Sequence, residues 1–269
     1  MPVQVAPGAR AVAALTIAGS DSGGGAGIQT DLKTFHALGV HGCSAITAMT
    51  AQNLSGVTAV QVSSEEFLDA QCDAVFAEFD IRAIKIGMLA NAGLARTVAK
   101  QLRKHREIPV VLDPVMVATS GSTLLEAGAI TVLREELFPL ASVLTPNIPE
   151  AELILGRRID TVSAMLNAGT DVLKMGAQSI LLKGAHLSDS SDVTDVFMSA
   201  EGSSEVTHPR LPFEAHGTGC TLSSAIAARL VHGDSLREAC MTAIEFVQSA
   251  LQTSYLLSES PVRVLNVGA

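Results

Sequence analysis

The amino-acid sequence predicts an α/β protein with a mostly parallel sheet covered by helices on both faces. Short buried-strand patterns alternate with longer helix-period segments from end to end, which is how successive βα units read. Apolar residues make up 48% of the 269 positions but aromatics only 3%. The core must therefore be assembled from Ala, Val, Leu and Ile, and disordered or collagen-like architectures are excluded. A chain of this length accommodates two domains or one large α/β domain.

In order along the chain, strands are predicted over 11–18, 42–47, 57–62, 82–86, 109–112, 141–145, 179–183, 193–198 and 204–208. Helices are expected near 27–38, 64–78, 91–105, 125–137, 148–155, 161–176, 219–231 and 234–256. The first apolar run, Ala11 to Ala18, has only Arg10 before it and leads into a glycine loop; it reads as a strand and not as a signal peptide. Ser63 with Glu66 suits a capping box at the start of the second helix. The segment 184–216 is the least regular and suits a hairpin or flap. No linker, charge block or repeat divides the chain, so a single domain over 1–269 is expected, with 1–10 as a flexible N-terminus.

Lys plus Arg number 18 against 27 Asp plus Glu, a formal charge of −9. Such a field repels phosphate backbones and anionic lipid, so neither nucleic acid nor a membrane surface is expected as a partner. A phosphorylated ligand must then be held by local donors, lone cations or a metal. Cys43, Cys72, Cys220 and Cys240 lack C-x-x-C spacing, and a reduced, cytoplasmic setting fits them best. No run approaches the roughly 18 unbroken apolar residues of a spanning helix.

Two glycine clusters stand where α/β proteins meet ligands. Gly19 to Gly27 carries five glycines in nine residues between a strand and a helix, where backbone N–H groups can face a ligand. It fits neither a P-loop, lacking the Lys, nor G-x-G-x-x-G, since Ile28 stands where a third Gly is needed. The second cluster, His216-Gly217-Thr218-Gly219-Cys220, opens a small-residue helix. Converging N–H groups there would stabilise charge on a phosphoryl group in flight. Cys220 sits at the mouth, where a helix start is expected to lower its pKa, leaving it to accept a proton or to pack as a small hydrophobe.

Other candidates follow strands. Asn147 and Glu150 could hold hydrated magnesium or could simply cap a helix. Asp113 is placed at the C-terminal edge of a parallel strand, facing the crevice. Lys85 and Lys183, two of six lysines, each lie in an apolar strand pattern and either face phosphate or snorkel to water. Asp31 stands one helical turn after Gly27. Gln52 can donate and accept at once, which suits a ring nitrogen beside an amine but equally a loop tie.

Taken together, Ala14 to Asp21, Gly24 to Gln29, Asp31 to Phe35, Thr50 to Asn53, Lys85 to Leu89, Leu112 to Met116, Thr145 to Ala151, Leu182 to Gly184 and His216 to Ser223 resemble, in order, the hydroxymethylpyrimidine/phosphomethylpyrimidine kinases of thiamine biosynthesis. The resemblance implies a ribokinase-like three-layer α/β/α fold with a mainly parallel central sheet. It implies ATP-dependent phosphorylation of 4-amino-5-hydroxymethyl-2-methylpyrimidine and then of its monophosphate. By the same match, Gln52 should pair with the pyrimidine, with Asp31, Gly19, Met88 and Val115 completing the pocket. Gly217, Thr218, Gly219 and Cys220 should form the catalytic anion hole. Lys183, Asp113, Asn147 and Glu150 should serve ATP and its Mg²⁺, the last two through water. A homodimer is implied as well.

The chain departs from that pattern at Leu211-Pro212-Phe213-Glu214-Ala215, where relatives commonly carry Thr or Asn, removing polar groups near the nucleotide. Two rival readings are a pyridoxal kinase of the same fold and a non-catalytic pyrimidine-binding regulator. Gln52 and Met88 favour the pyrimidine over pyridoxal, and the presence of both glycine clusters with Cys220, Asn147 and Glu150 favours catalysis.

Overall fold

The computed structural model describes residues 11–116, 125–126, 128–187 and 191–268. The expected flexible N-terminus 1–10 lies outside the described residues. Strands β1 (Ala13–Asp21), β2 (His41–Asn53), β3 (Gly56–Val62), β4 (Ile81–Ile86), β5 (Val110–Leu112), β6 (Val143–Leu144), β7 (Ser179–Leu182), β8 (Asp192–Ser199) and β9 (Gly202–Pro209) form one sheet. Its order is β3-β2-β1-β4-β5-β6-β7-β8-β9. The run from β2 to β7 is parallel, whereas β3, β8 and β9 join antiparallel. The irregular 184–216 segment thus contributes a hairpin that extends the sheet.

Helices α1 (Gly27–Ala37), α7 (Thr218–Val231) and α8 (Leu236–Gln252) cover one face; α2 (Glu65–Glu78), α3 (Ala92–Lys104), α4 (Ala129–Val132), α5 (Ile148–Leu155) and α6 (Val162–Leu173) cover the other. Alternation along β1 explains the two layers. Leu15 and Ile17 pack with the α2–α6 side, and Ala14 with the α1/α7 side, because successive side chains point to opposite faces. The second face is built from small residues, Ala14 and Ala83 against Ala225, Ala227 and Ala228. That lets α7 lie close to the sheet and brings its N-terminus to the strand ends.

Several expected boundaries move. β1 runs on to Asp21 and β2 to Asn53, so Gln52 ends a strand paired with β3 instead of following one. The helix expected over 125–137 begins only at Ala129, after Gly128, and continues as a π turn over Leu133–Leu137 and a 3₁₀ turn over Phe138–Leu140. The expected Ser63 capping box is replaced by a Ser64 cap: Ser64 Oγ accepts from the Phe67 N–H at 3.2 Å. Ser63 instead stays bound to β2, its N–H donating to Thr47 O at 2.9 Å and its hydroxyl to Ile46 O at 2.7 Å. A two-residue strand, β10 (Ala215–His216), pairs with β11 (Arg263–Val264) just ahead of α7.

Candidate active site

Beneath the C-terminal edge of β1 and β4 lies a buried polar cluster. Asp31, on α1, accepts from Thr16 Oγ1 at 2.6 Å, Lys85 Nζ at 2.8 Å and Ser224 Oγ at 2.7 Å. β1, α1 and α7, the elements that carry the two glycine clusters, therefore converge with β4 on one carboxylate. Both Asp31 and Lys85 are fully buried. Lys85 does not snorkel, and Asp31, expected to complete the substrate pocket, lies under the pocket floor and not on its wall.

The first glycine cluster is closed over its own aspartate. Asp21 accepts from the N–H groups of Gly23 at 2.8 Å, Gly25 at 3.1 Å and Ala26 at 2.9 Å. Those N–H groups, expected to face a ligand, are already satisfied. Burial opposes ionisation of Asp21, but His216 and the loop N–H groups prevail and hold its carboxyl below the usual range.

The two clusters meet backbone to backbone. Gly217 has φ +82°, and a Cβ there would lie 1.9 Å from Gly25 O, so only glycine allows this approach. A Cβ on Gly19 would lie 2.5 Å from Met88 Cε, which explains why Met88 can pack over the end of β1.

Gly217 follows β10 and N-caps α7, whose first intrahelical bond to it comes from the Thr221 N–H at 2.9 Å. The Thr218, Gly219 and Cys220 N–H groups precede that bond and stand at the positive end of the helix. Burial pushes the Cys220 thiol up to about 11, despite the nearby Lys85 ammonium and a hydrogen bond from the Gly27 N–H. The lowering expected from its place at a helix start is thus overturned by desolvation, and Cys220 is a thiol at neutral pH.

Lys183 Nζ lies 2.9 Å from Asp113 Oδ1, which also accepts from Thr145 Oγ1 at 3.2 Å. A Cβ on Gly219 would lie 3.2 Å from that ammonium, so the pair abuts the start of α7. Asn147 and Glu150 form a reciprocal capping box: Asn147 Oδ1 accepts from the Glu150 N–H at 2.9 Å, and Glu150 Oε2 from the Asn147 N–H at 2.8 Å. Burial, reinforced by Asp113 and partly offset by Lys183, raises the Glu150 carboxyl to about 7.

These groups enclose a cavity of ≈ 140 Å³ lined by Gly19, Gln52, Lys85, Met88, Asp113, Val115, Asn147, Glu150, Lys183, His216, Gly219 and Cys220. A larger groove of ≈ 590 Å³ adjoins it, sharing Asn147 and bordered by Thr218, His186, His208 and Leu251. The N-terminus of α7 stands between the two, with Thr218 on the groove and Gly219 and Cys220 on the cavity. Phe213, in the unusual strip before the anion hole, lies under the Arg263 guanidinium, 4.5 Å from its ring centre. Among the expected pocket residues, Gly19, Gln52, Met88 and Val115 come together and Asp31 does not.

Sequence reasoning missed Asp21 and His216. Asp21 carried a signal, since an Asp followed two residues later by Gly is an Asx-turn pattern. His216 carried only its place beside Gly217.

A small pocket and a larger groove, joined at a glycine-opened helix N-terminus at the C-terminal edge of a parallel sheet, define a ribokinase-like small-molecule kinase. The phosphomethylpyrimidine kinase family model matches residues 21–263, and the chain belongs to that family. It is 49% identical over 245 residues to the hydroxymethylpyrimidine/phosphomethylpyrimidine kinase of Rhizobium meliloti, covering 90% of this chain and 91% of that one. The crystal structure of phosphomethylpyrimidine kinase from Clostridium difficile superposes with a TM-score of 0.80 at 40% identity, over 89% of this chain and 99% of that one. Pyridoxal kinase from Staphylococcus aureus, in complex with AMP-PCP and pyridoxal, superposes with a TM-score of 0.88 at 29% identity, over 97% and 95% of the two chains.

Proposed function

We propose that the protein transfers the ATP γ-phosphoryl group to hydroxymethylpyrimidine and then to its monophosphate, as a single kinase domain serving thiamine biosynthesis. The observation that carries this reading is the placement of Gln52 and the α7 N-terminus in one cavity. Gln52 offers an amide that donates and accepts beside an aminopyrimidine edge, between the apolar walls Met88 and Val115. A site built to satisfy both ring nitrogen and amine rejects a ring without the amine, because a buried partner is left unpaired. That favours the pyrimidine over pyridoxal.

ATP occupies the adjoining groove in this reading, with its γ-phosphoryl directed at the Gly217–Cys220 amides. The new O–P bond forms at the hydroxymethyl oxygen as the bond to ADP breaks, and the hydroxyl proton leaves late, to an oxygen of the transferred phosphoryl group and from there to water, as a loose transition state allows. Cys220, a thiol at rest, does not remove that proton beforehand. The anion-hole amides and Lys183 hold the charge, and positioning supplies the rest.

The donor set also fits Mg²⁺. Asn147 and Glu150 both line the cavity, and the ionised Glu150 lacks full compensation where it is buried; these two residues would hold the ion through water, and it would neutralise phosphate charge. We further propose a cytoplasmic homodimer, the expectation that the family resemblance carries. Phosphorus NMR of protein with ATP, magnesium and hydroxymethylpyrimidine tests the reaction: a phosphate-ester signal should grow with ADP, and ADP formation without an ester would sink the proposal.

A further inference from the structure

His216 stands between the two glycine clusters and the amide assigned to the pyrimidine. Its Nε2 is 3.4 Å from Asp21 Oδ2 and 3.4 Å from Gln52 Nε2. On the other side of Gln52, the Thr50 hydroxyl is 3.0 Å from Gln52 Oε1 and also 3.0 Å from Ser20 O. These contacts do not balance. Thr50 has one proton and faces two acceptors, while a His216 Nε2–H directed at the Asp21 carboxylate faces the NH₂ of Gln52, donor against donor.

Turning the Gln52 amide by half a rotation resolves both conflicts. Its NH₂ then donates to Thr50 Oγ1, Thr50 donates to Ser20 O, and the one His216 Nε2–H is shared between two acceptors at equal distance, Asp21 Oδ2 and the Gln52 oxygen, each 3.4 Å away. The opposite arrangement, with the proton on Nδ1, aims the Nε2 lone pair at Asp21 Oδ2. That oxygen belongs to an ionised carboxylate fixed by the Gly25 and Ala26 N–H groups, so the lone pair is repelled.

We propose that His216, held as the Nε2–H tautomer by Asp21, sets the rotation of the Gln52 amide and so decides which way its remaining donor and acceptor face the pyrimidine. The inference rests on Gln52 reading the pyrimidine. His216 is a positioning residue in this account: with the amide locked, one N–H and one lone pair are left as a fixed pair matching an amine beside a ring nitrogen. Without His216, either rotation is open and one of them opposes like groups.

The test is a double-mutant cycle read as the Kd of hydroxymethylpyrimidine by calorimetry. His216→Ala should weaken binding about tenfold with Gln52 present and less than about twofold in the Gln52→Ala background, because the two act as one unit. His216→Gln, which keeps an N–H donor, should recover binding to within about threefold. An equal loss in both backgrounds, or no loss in either, would overturn the inference while leaving Gln52 as the reader of the ring. Unchanged binding in Gln52→Ala itself would overturn both. Should His216→Ala not fold, the long-range nitrogen–proton spectrum of the intact protein decides: an Nε2–H imidazole supports the inference and an Nδ1–H imidazole overturns it.

Discussion

Lys85 Nζ lies 2.8 Å from Asp31 Oδ2, and neither side chain reaches solvent. Burial alone would lower the Lys85 pKa, yet Asp31, with Asp113, holds it above the usual lysine value, so the ammonium stays charged beneath the cavity. Lys85→Met should strand the Asp31 carboxylate and cost about 3–5 kcal/mol in urea unfolding. Pairing it with Asp31→Asn should recover much of that loss, since one of the Thr16 and Ser224 hydroxyls keeps an acceptor and the other can accept from the Asn NH₂. Equal stabilities for wild type and Lys85→Met would contradict the pairing.

Gln52→Ala should raise the hydroxymethylpyrimidine KM by about tenfold or more, the penalty for leaving polar edges unpaired in a fitted pocket. The ATP KM should change little, because Gln52 lines the cavity and not the groove. Steady-state kinetics with each substrate varied in turn separates the two, and equal losses would count against the assignment.

At Cys220 the raised pKa of about 11 makes the thiolate scarce at neutral pH. Iodoacetamide should alkylate it slowly near pH 7.5, the rate climbing toward the pKa, as followed by peptide mass spectrometry. A reactive plateau below pH 8 would restore the picture of an activated thiolate.

Much of this was legible in local sequence, and the remainder was not for physical reasons. Gln52, Met88, Val115 and Cys220 follow or end strands in recognisable runs, and the strand ends carry them to one edge. Asp31 and Lys85 are 54 positions apart, so no spacing rule could pair them, and a lone lysine in an apolar strand looks like one that snorkels. The extension of β2 to Asn53 depends on pairing with β3, a tertiary effect that propensity does not carry. The Cys220 shift reversed because burial outweighs the helix-start effect.

Glu150 should make ligand stabilisation depend on pH. Its carboxyl is raised from 4.5 to about 7, so its contribution to stability is complete below pH 4.5 and is lost as pH rises through 7. Mg²⁺ with ADP favours the ionised form, so the rise in Tm on adding both should be larger at pH 8 than at pH 6. Glu150→Gln should abolish that difference in differential scanning fluorimetry; a difference that survives would place its origin elsewhere.

Gly217→Ala combines a left-handed backbone, φ +82°, with a Cβ that would lie 1.9 Å from Gly25 O. Forcing the clusters apart should cost more than the roughly 1 kcal/mol of backbone strain alone, and kcat should fall with stability. Wild-type kcat would contradict the role given to this contact.

The most direct measurement of the central claim is a product assay with purified protein, ATP and magnesium, offering hydroxymethylpyrimidine, its monophosphate and pyridoxal separately, with products identified by mass. The account predicts pyrimidine monophosphate from the first and diphosphate from the second. Phosphorylation of pyridoxal alone would contradict the reading of the pocket, though the fold and the anion hole would stand.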